Sequence, residues 1–148
     1  MAKEIQTKTF GKMTIEDKQI LHFPDGVIGF ETQNNFAFIE ESEDTPFKWL
    51  QSLDDVELAF IVIQPILFAP NYKPVLSKED FEQIGLIKLE ETLLLVIVTI
   101  PNDNPEMMTA NLQGPILINP VTKVGKQFIS RDENHPVRKL VIENAETV

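Results

Sequence analysis

The chain has 148 residues, 43% of them hydrophobic, a net charge of -10 and no cysteine. That length suits one domain burying about 68–70% of the surface its unfolded chain exposes, and the lack of cysteine excludes disulfides and thiolate metal sites. The negative balance argues against a phosphate backbone as direct ligand, because such affinity rests on cationic neutralisation, and favours a basic protein as partner.

The N-terminal stretch has no basic-then-apolar signal pattern, and the longest apolar run, Thr92 to Pro101, falls well short of the roughly 20 residues of a membrane span. A soluble, cytoplasmic protein is expected. The first predicted element is a hairpin: Ile5, Thr7 and Thr9 alternate with Gln6, Lys8 and Phe10, Met13 and Ile15 with Thr14 and Glu16, and Gly11 marks the join. Next comes F-P-D-G-V-I-G-F-E, Phe23 to Glu31. Pro24 stiffens it, Gly26 and Gly29 permit positive φ, and the phenylalanines at either end are expected to turn inward. Its glycines lack the spacing of a dinucleotide loop.

Phe36 to Ile39 predicts a strand. Between Glu40 and Glu57 lie seven carboxylates, Glu40, Glu41, Glu43, Asp44, Asp54, Asp55 and Glu57, against Lys48 alone. Such a run is either solvated surface or a patch that steers a basic partner. Within it, P-F-K-W-L-Q-S carries the chain's one tryptophan, Trp49, which either packs in the core or anchors a partner. Leu58 to Ile63 predicts another strand.

Gln64 to Pro74 is stiff and apolar, with three prolines beside Leu67, Phe68 and Tyr72. It either caps a barrel or forms a docking surface. Ser77 to Ile84 predicts a short helix, with Ser77 as cap, Asp80 three residues on and Gly85 as the stop. Leu89 to Thr92 predicts a second turn. Leu93 to Ile100 is apolar without alternation apart from Thr99, as in a central strand buried on both faces.

The word T-A-N-L-Q-G-P-I-L-I-N, Thr109 to Asn119, begins with short side chains and leads into a strand over Pro115 to Ile118. Asn111 and Asn119 suit turns. Lys126 to Ser130 predicts a last strand, in a stretch where Lys123, Lys126, Arg131, Arg138 and Lys139 outweigh Asp132 and Glu133. Beyond about Leu140 the acidic tail reads as loosely held. Many short strands, ten prolines and little helix predict a mainly β fold. Curling the sheet into a small, partly closed antiparallel barrel relieves its edges, leaving one or two short helices in a single domain over residues 1–140 and a flexible tail at 141–148.

Groups for chemistry are missing from the pattern. His22 and His135 are the only histidines and form no H-E-x-x-H pair. There is no G-x-S-x-G elbow, and Asn102 to Glu106 lacks the glycine and terminal glutamate of a calcium loop. Asp54 and Asp55 are adjacent acids of a kind expected in so acidic a chain. No catalytic residue, metal or cofactor is predicted.

Taken in order, Phe23–Glu31, Pro46–Ser52 and Thr109–Asn119 make the chain resemble the family of the bacterial flagellar assembly factor FliW over about residues 5–135. The resemblance implies a small β-barrel-like fold and a cytoplasmic, non-enzymatic adaptor for two partners, flagellin and the RNA-binding regulator CsrA. It implies that CsrA is bound away from its RNA-contacting surface, and that accumulating flagellin competes for the adaptor. Flagellin translation is thereby coupled to export. For CsrA the expected residues are Glu40, Glu41, Glu43, Asp44, Asp54, Asp55 and Glu57. For flagellin they are Leu67, Phe68 and Tyr72, with Asn111 lining the same area. A monomer is expected, with no direct nucleic-acid or membrane contact. The alternatives are a dedicated flagellin export chaperone that ignores CsrA, and a small-molecule-binding or hydrolytic barrel. The one departure inside the motifs is Gly114 before Pro115.

Overall fold

The computed structural model describes residues 2–40 and 42–142. An N-terminal hairpin, β1 (Ala2–Thr7) and β2 (Gly11–Glu16), leads into β3 (Ile20–His22), β4 (Asn35–Ile39), β5 (Lys48–Ser52) and β6 (Ala59–Ile63). The helix α1 (Lys78–Glu82) precedes β7 (Leu93–Thr99), β8 (Thr109–Ala110), β9 (Ile116–Asn119), β10 (Val124–Gln127) and β11 (Lys139–Leu140). Among the described residues no helix is long and apolar enough to cross a membrane.

Seven strands close into a ring in the order β3, β4, β5, β6, β7, β9, β10, because β7 bonds β9 and β10 bonds β3. The expected barrel is therefore fully closed. A ring with an odd number of strands cannot alternate direction all the way round, so one seam must be parallel. That seam is β10 against β3, paired through Val124 and His22. Beyond the ring, the last residues of β7 pair with β8, which pairs with β11.

Side chains that alternate along the strands fill the interior. Phe36, Leu50, Val62, Leu95, Ile116 and Ile118 form one buried cluster with Phe23. Phe23 and Phe36 meet edge to face at 5.3 Å, a geometry worth about 0.5–1.5 kcal/mol beyond burial. Gly125 makes room for them, since a Cβ there would stand 2.9 Å from Phe23 Cζ and 3.0 Å from Ile118 Cγ1.

Three apolar pads cover the outside of the wall. The β1–β2 hairpin lies over Ala37, Ile39 and Trp49. The α1 region packs Phe81 and Ile84 on Leu117 and Phe128. The proline-rich loop packs Phe68 and Tyr72 on Ile63, Val96 and Val98. Between core and pad, the middle of β7 is buried on both faces, as expected.

The hairpin, the helix with its Ser77 cap and the turn at Leu89–Glu91 match the sequence reading. Three features differ. β5, a full member of the ring, was hidden by polar residues: Gln51 and Ser52 are buried because they tie down the following loop, Gln51 Nε2 donating to Val56 O and Leu58 O at 3.1 Å. The strand expected at Lys126–Ser130 runs from Val124 to Gln127. Phe30 does not turn inward with Phe23; it stays 41% exposed at the rim, edge-on to Phe60 at 5.2 Å. At the start of the expected tail, Val141 N–H donates to Met108 O at 3.2 Å, and residues 143–148 lie outside the described residues.

Candidate protein-binding site at the barrel mouth

The acidic residues of the Glu40 to Glu57 stretch fall into two groups in space. Glu40, Glu43 and Asp44 lie between β4 and β5 at one rim of the barrel, and Asp54, Asp55 and Glu57 lie between β5 and β6 at the other. The five residues of β5 separate the groups by about 16 Å at a rise of about 3.3 Å per residue. Glu41 lies outside the described residues. Several of these carboxylates serve the chain itself. Asp54 Oδ2 accepts from Asn34 N at 3.0 Å and Asn35 N at 3.2 Å, and Asp55 Oδ1 accepts from Glu57 N at 2.9 Å. Glu40 meets Lys48 at 3.0 Å and Glu57 meets Lys8 at 3.8 Å.

The proline-rich loop has two characters. Ile66 and Leu67 project into solvent, 65% and 58% exposed, whereas Phe68 and Tyr72 are half-buried against the wall. The Tyr72 hydroxyl donates to Leu112 O, and its ring stands edge-on to His135 at 4.8 Å. Burial pushes the phenol well above its ordinary pKa, so it stays a neutral donor. Ser130 completes the clasp, its Oγ accepting from Val75 N at 3.0 Å and lying 2.8 Å from His135 Nδ1. This hydroxyl is buried and engaged, so the Ser130, His135 and Asp132 group is a structural tie and not an exposed nucleophile. Among the described residues no group of three His, Asp or Glu side chains could hold a metal.

Asn111 does not join Tyr72. It lines a groove of about 400 Å³ at the mouth of the barrel. Its lining includes Ile28 and Phe30 from the β3–β4 connection, Ile129, Val137 and Arg138 from the segment after β10, and Phe60, Ile97 and Gln127 from the strands. Four of these apolar side chains stand open to solvent: Ile28 (51%), Phe30 (41%), Ile129 (59%) and Val137 (53%). Exposed apolar surface gathered in a concavity is characteristic of a binding site.

The sequence builds this groove rigidly. Gly26 has φ +68°, and a Cβ there would meet Phe30 O and Glu31 Cα at 2.6 Å, so the chain can fold back only without a side chain. Glu31 Oε2 accepts from Gly29 N at 2.9 Å, and this backbone N–H lowers its carboxyl pKa. Gln127 ties three segments together, accepting from Ile28 N and donating to Gly114 O, each at 3.0 Å. A Cβ on Gly114 would stand 2.8 Å from Gln127 Nε2. Asn111 Oδ1 accepts from Gln113 N and Gly114 N, and Asn119 Oδ1 likewise accepts from Val121 N. Both asparagines thus serve turns, as expected. Sequence reasoning missed Ile28, Phe30, Ile129, Val137 and Arg138 as surface, although the Phe23–Glu31 and Thr109–Asn119 words both lead to this mouth.

Fold and site define a small closed β-barrel that holds exposed apolar side chains on stiffened loops. Residues 4–141 match the family model described as "FliW protein". The chain is 55% identical over 145 residues to the "Flagellar assembly factor FliW" of Leptospira interrogans serogroup Icterohaemorrhagiae serovar Lai (strain 56601), covering 98% of this chain and 97% of that protein. It is 38% identical to the protein of that name from Thermoanaerobacter pseudethanolicus (strain ATCC 33223 / 39E), covering 95% and 93%. A solved structure, "Crystal structure of the flagellar assembly factor FliW", superimposes with a TM-score of 0.83 at 33% identity, covering 96% of this chain and 99% of that one. The chain belongs to the FliW family.

Proposed function

We propose that this chain is a flagellar assembly factor and acts as a non-enzymatic cytoplasmic adaptor for flagellin and CsrA. Support comes from the family and, within the chain, from one observation: large apolar side chains held open to solvent on braced loops, at the mouth by Ile28, Phe30, Ile129 and Val137 and beside the wall by Ile66 and Leu67. A side chain that stays exposed on rigid backbone has a surface to offer a partner.

In this reading CsrA, a basic RNA-binding protein, is drawn to the acidic rims, Glu40 to Asp44 on one side and Asp54 to Glu57 on the other. It is held away from its RNA-contacting surface. Flagellin, whose terminal regions are amphipathic when unassembled, docks on the Leu67, Phe68 and Tyr72 loop. Mass action does the switching: flagellin at about 100 times its dissociation constant leaves about 1% of the adaptor for CsrA. Freed CsrA then represses flagellin translation until export resumes.

Titration calorimetry tests this with CsrA, with assembly-blocked flagellin, and with flagellin added to the preformed CsrA complex. Binding to both with displacement is expected. Flagellin binding without CsrA binding would leave a dedicated export chaperone, and binding to neither would sink the adaptor.

A further inference from the structure

The mouth groove has one chemical bias that its apolar walls do not explain. Arg138 is the one charged side chain among the residues that line it. Arg138 is exposed in the groove wall and, among the described residues, its guanidinium makes no hydrogen bond or ion pair. The amide nitrogen of Asn111 is also without an acceptor there, its oxygen being taken by Gln113 N and Gly114 N. Among the described residues no Asp or Glu lines the groove. A water-accessible arginine with no partner of its own, set among apolar lining residues, is free to take an acceptor from a bound segment.

We propose that the mouth groove binds an apolar peptide segment of a protein partner through an internal Asp or Glu side chain, received by Arg138. This rests on the reading of the chain as a protein-binding adaptor. The guanidinium fork matches a carboxylate in two parallel hydrogen bonds, while Ile28, Phe30, Ile129 and Val137 take the flanking apolar side chains. A free chain terminus is a poorer match. Terminal carboxylates are captured by nests of free backbone N–H groups, and here those of Ile28, Gly29, Phe30, Gln113 and Gly114 are all donated within the chain.

Selection of random twelve-residue peptides displayed with their C-termini fused to phage, on the full chain and against Arg138→Gln, tests the proposal apart from flagellin and CsrA. Enriched peptides should combine Leu, Ile or Phe with an internal Asp or Glu. In synthetic versions, changing that acid to its amide, or Arg138 to Gln in the chain, should weaken binding about 10-fold to 100-fold. Amidating the peptide C-terminus should change nothing. Basic peptides, no enrichment, or affinity indifferent to Arg138→Gln would overturn the proposal, as would a requirement for the free terminus. An unaltered thermal midpoint for Arg138→Gln verifies the fold. Calorimetry with flagellin and CsrA judges the adaptor reading separately.

Discussion

Gly26 and Gly11 have nearly the same backbone, φ +68° and +67°, yet their surroundings differ. A Cβ on Gly26 would strike backbone at 2.6 Å, whereas nothing lies within 4 Å of one on Gly11. Gly11→Ala should cost about 1 kcal/mol, from conformation alone. Gly26→Ala should cost more than about 2 kcal/mol and displace Phe30, since the contacted atoms belong to the main chain. Urea unfolding of the two variants measures the gap. Glu31 supplies a pH signature at the same loop. Its carboxyl is depressed below the ordinary 4.5 by the Gly29 N–H, so the stability it contributes is present above that value and lost as pH falls through the folded one. Glu31→Gln should therefore lower the urea midpoint at pH 7, and the difference from the parent chain should vanish at low pH.

Elements show what a local pattern can and cannot reveal. The Ser77 cap and the unbroken apolar run of β7 carry their structure within a few residues, so both were legible. β5 was not, because Lys48, Gln51 and Ser52 face partners that other segments bring, and periodicity cannot register them. The acidic stretch is divided by the same strand, with Glu40, Glu43 and Asp44 before β5 and Asp54, Asp55 and Glu57 after it. A charge-reversal experiment fits this scale. Asp55→Lys with Glu57→Lys, and Glu40→Lys with Glu43→Lys, act on opposite rims, and each pair measured alone should lower the rate and salt dependence of CsrA association. If only one pair has an effect, CsrA approaches from that rim. The hairpin offers a second test, because Trp49 is the one tryptophan and meets Phe10 edge-on at 5.3 Å. Phe10→Ala should shift Trp49 emission to longer wavelength and destabilise the chain by about 2 kcal/mol, less than a full core truncation because Phe10 is only half-buried.

At the scale of the molecule, the exposed apolar groove is a product of closure. The mouth was illegible in the sequence because its defining tie, Gln127 to the N–H of Ile28, spans 99 residues. Exposed Ile28 and Val137 read in isolation as ordinary surface, and only the closed ring sets them across one groove. A chain stopped after residue 119 lacks β10 and with it the parallel seam. It should unfold in a broad, uncooperative transition and bind a hydrophobic dye, whereas the full chain should give one sharp transition.

That seam also sets a schedule. β3 emerges early during synthesis and its parallel neighbour β10 near the end, so a nascent chain on the ribosome holds an open sheet for most of its production. Pairing over so long a separation carries a loop-closure penalty and is slow to form. The groove, whose lining includes Gln127, Ile129, Val137 and Arg138, comes into being only after translation of the chain is all but finished. Closure therefore follows release, and the apolar groove exists only on a chain that has left the ribosome and completed its ring.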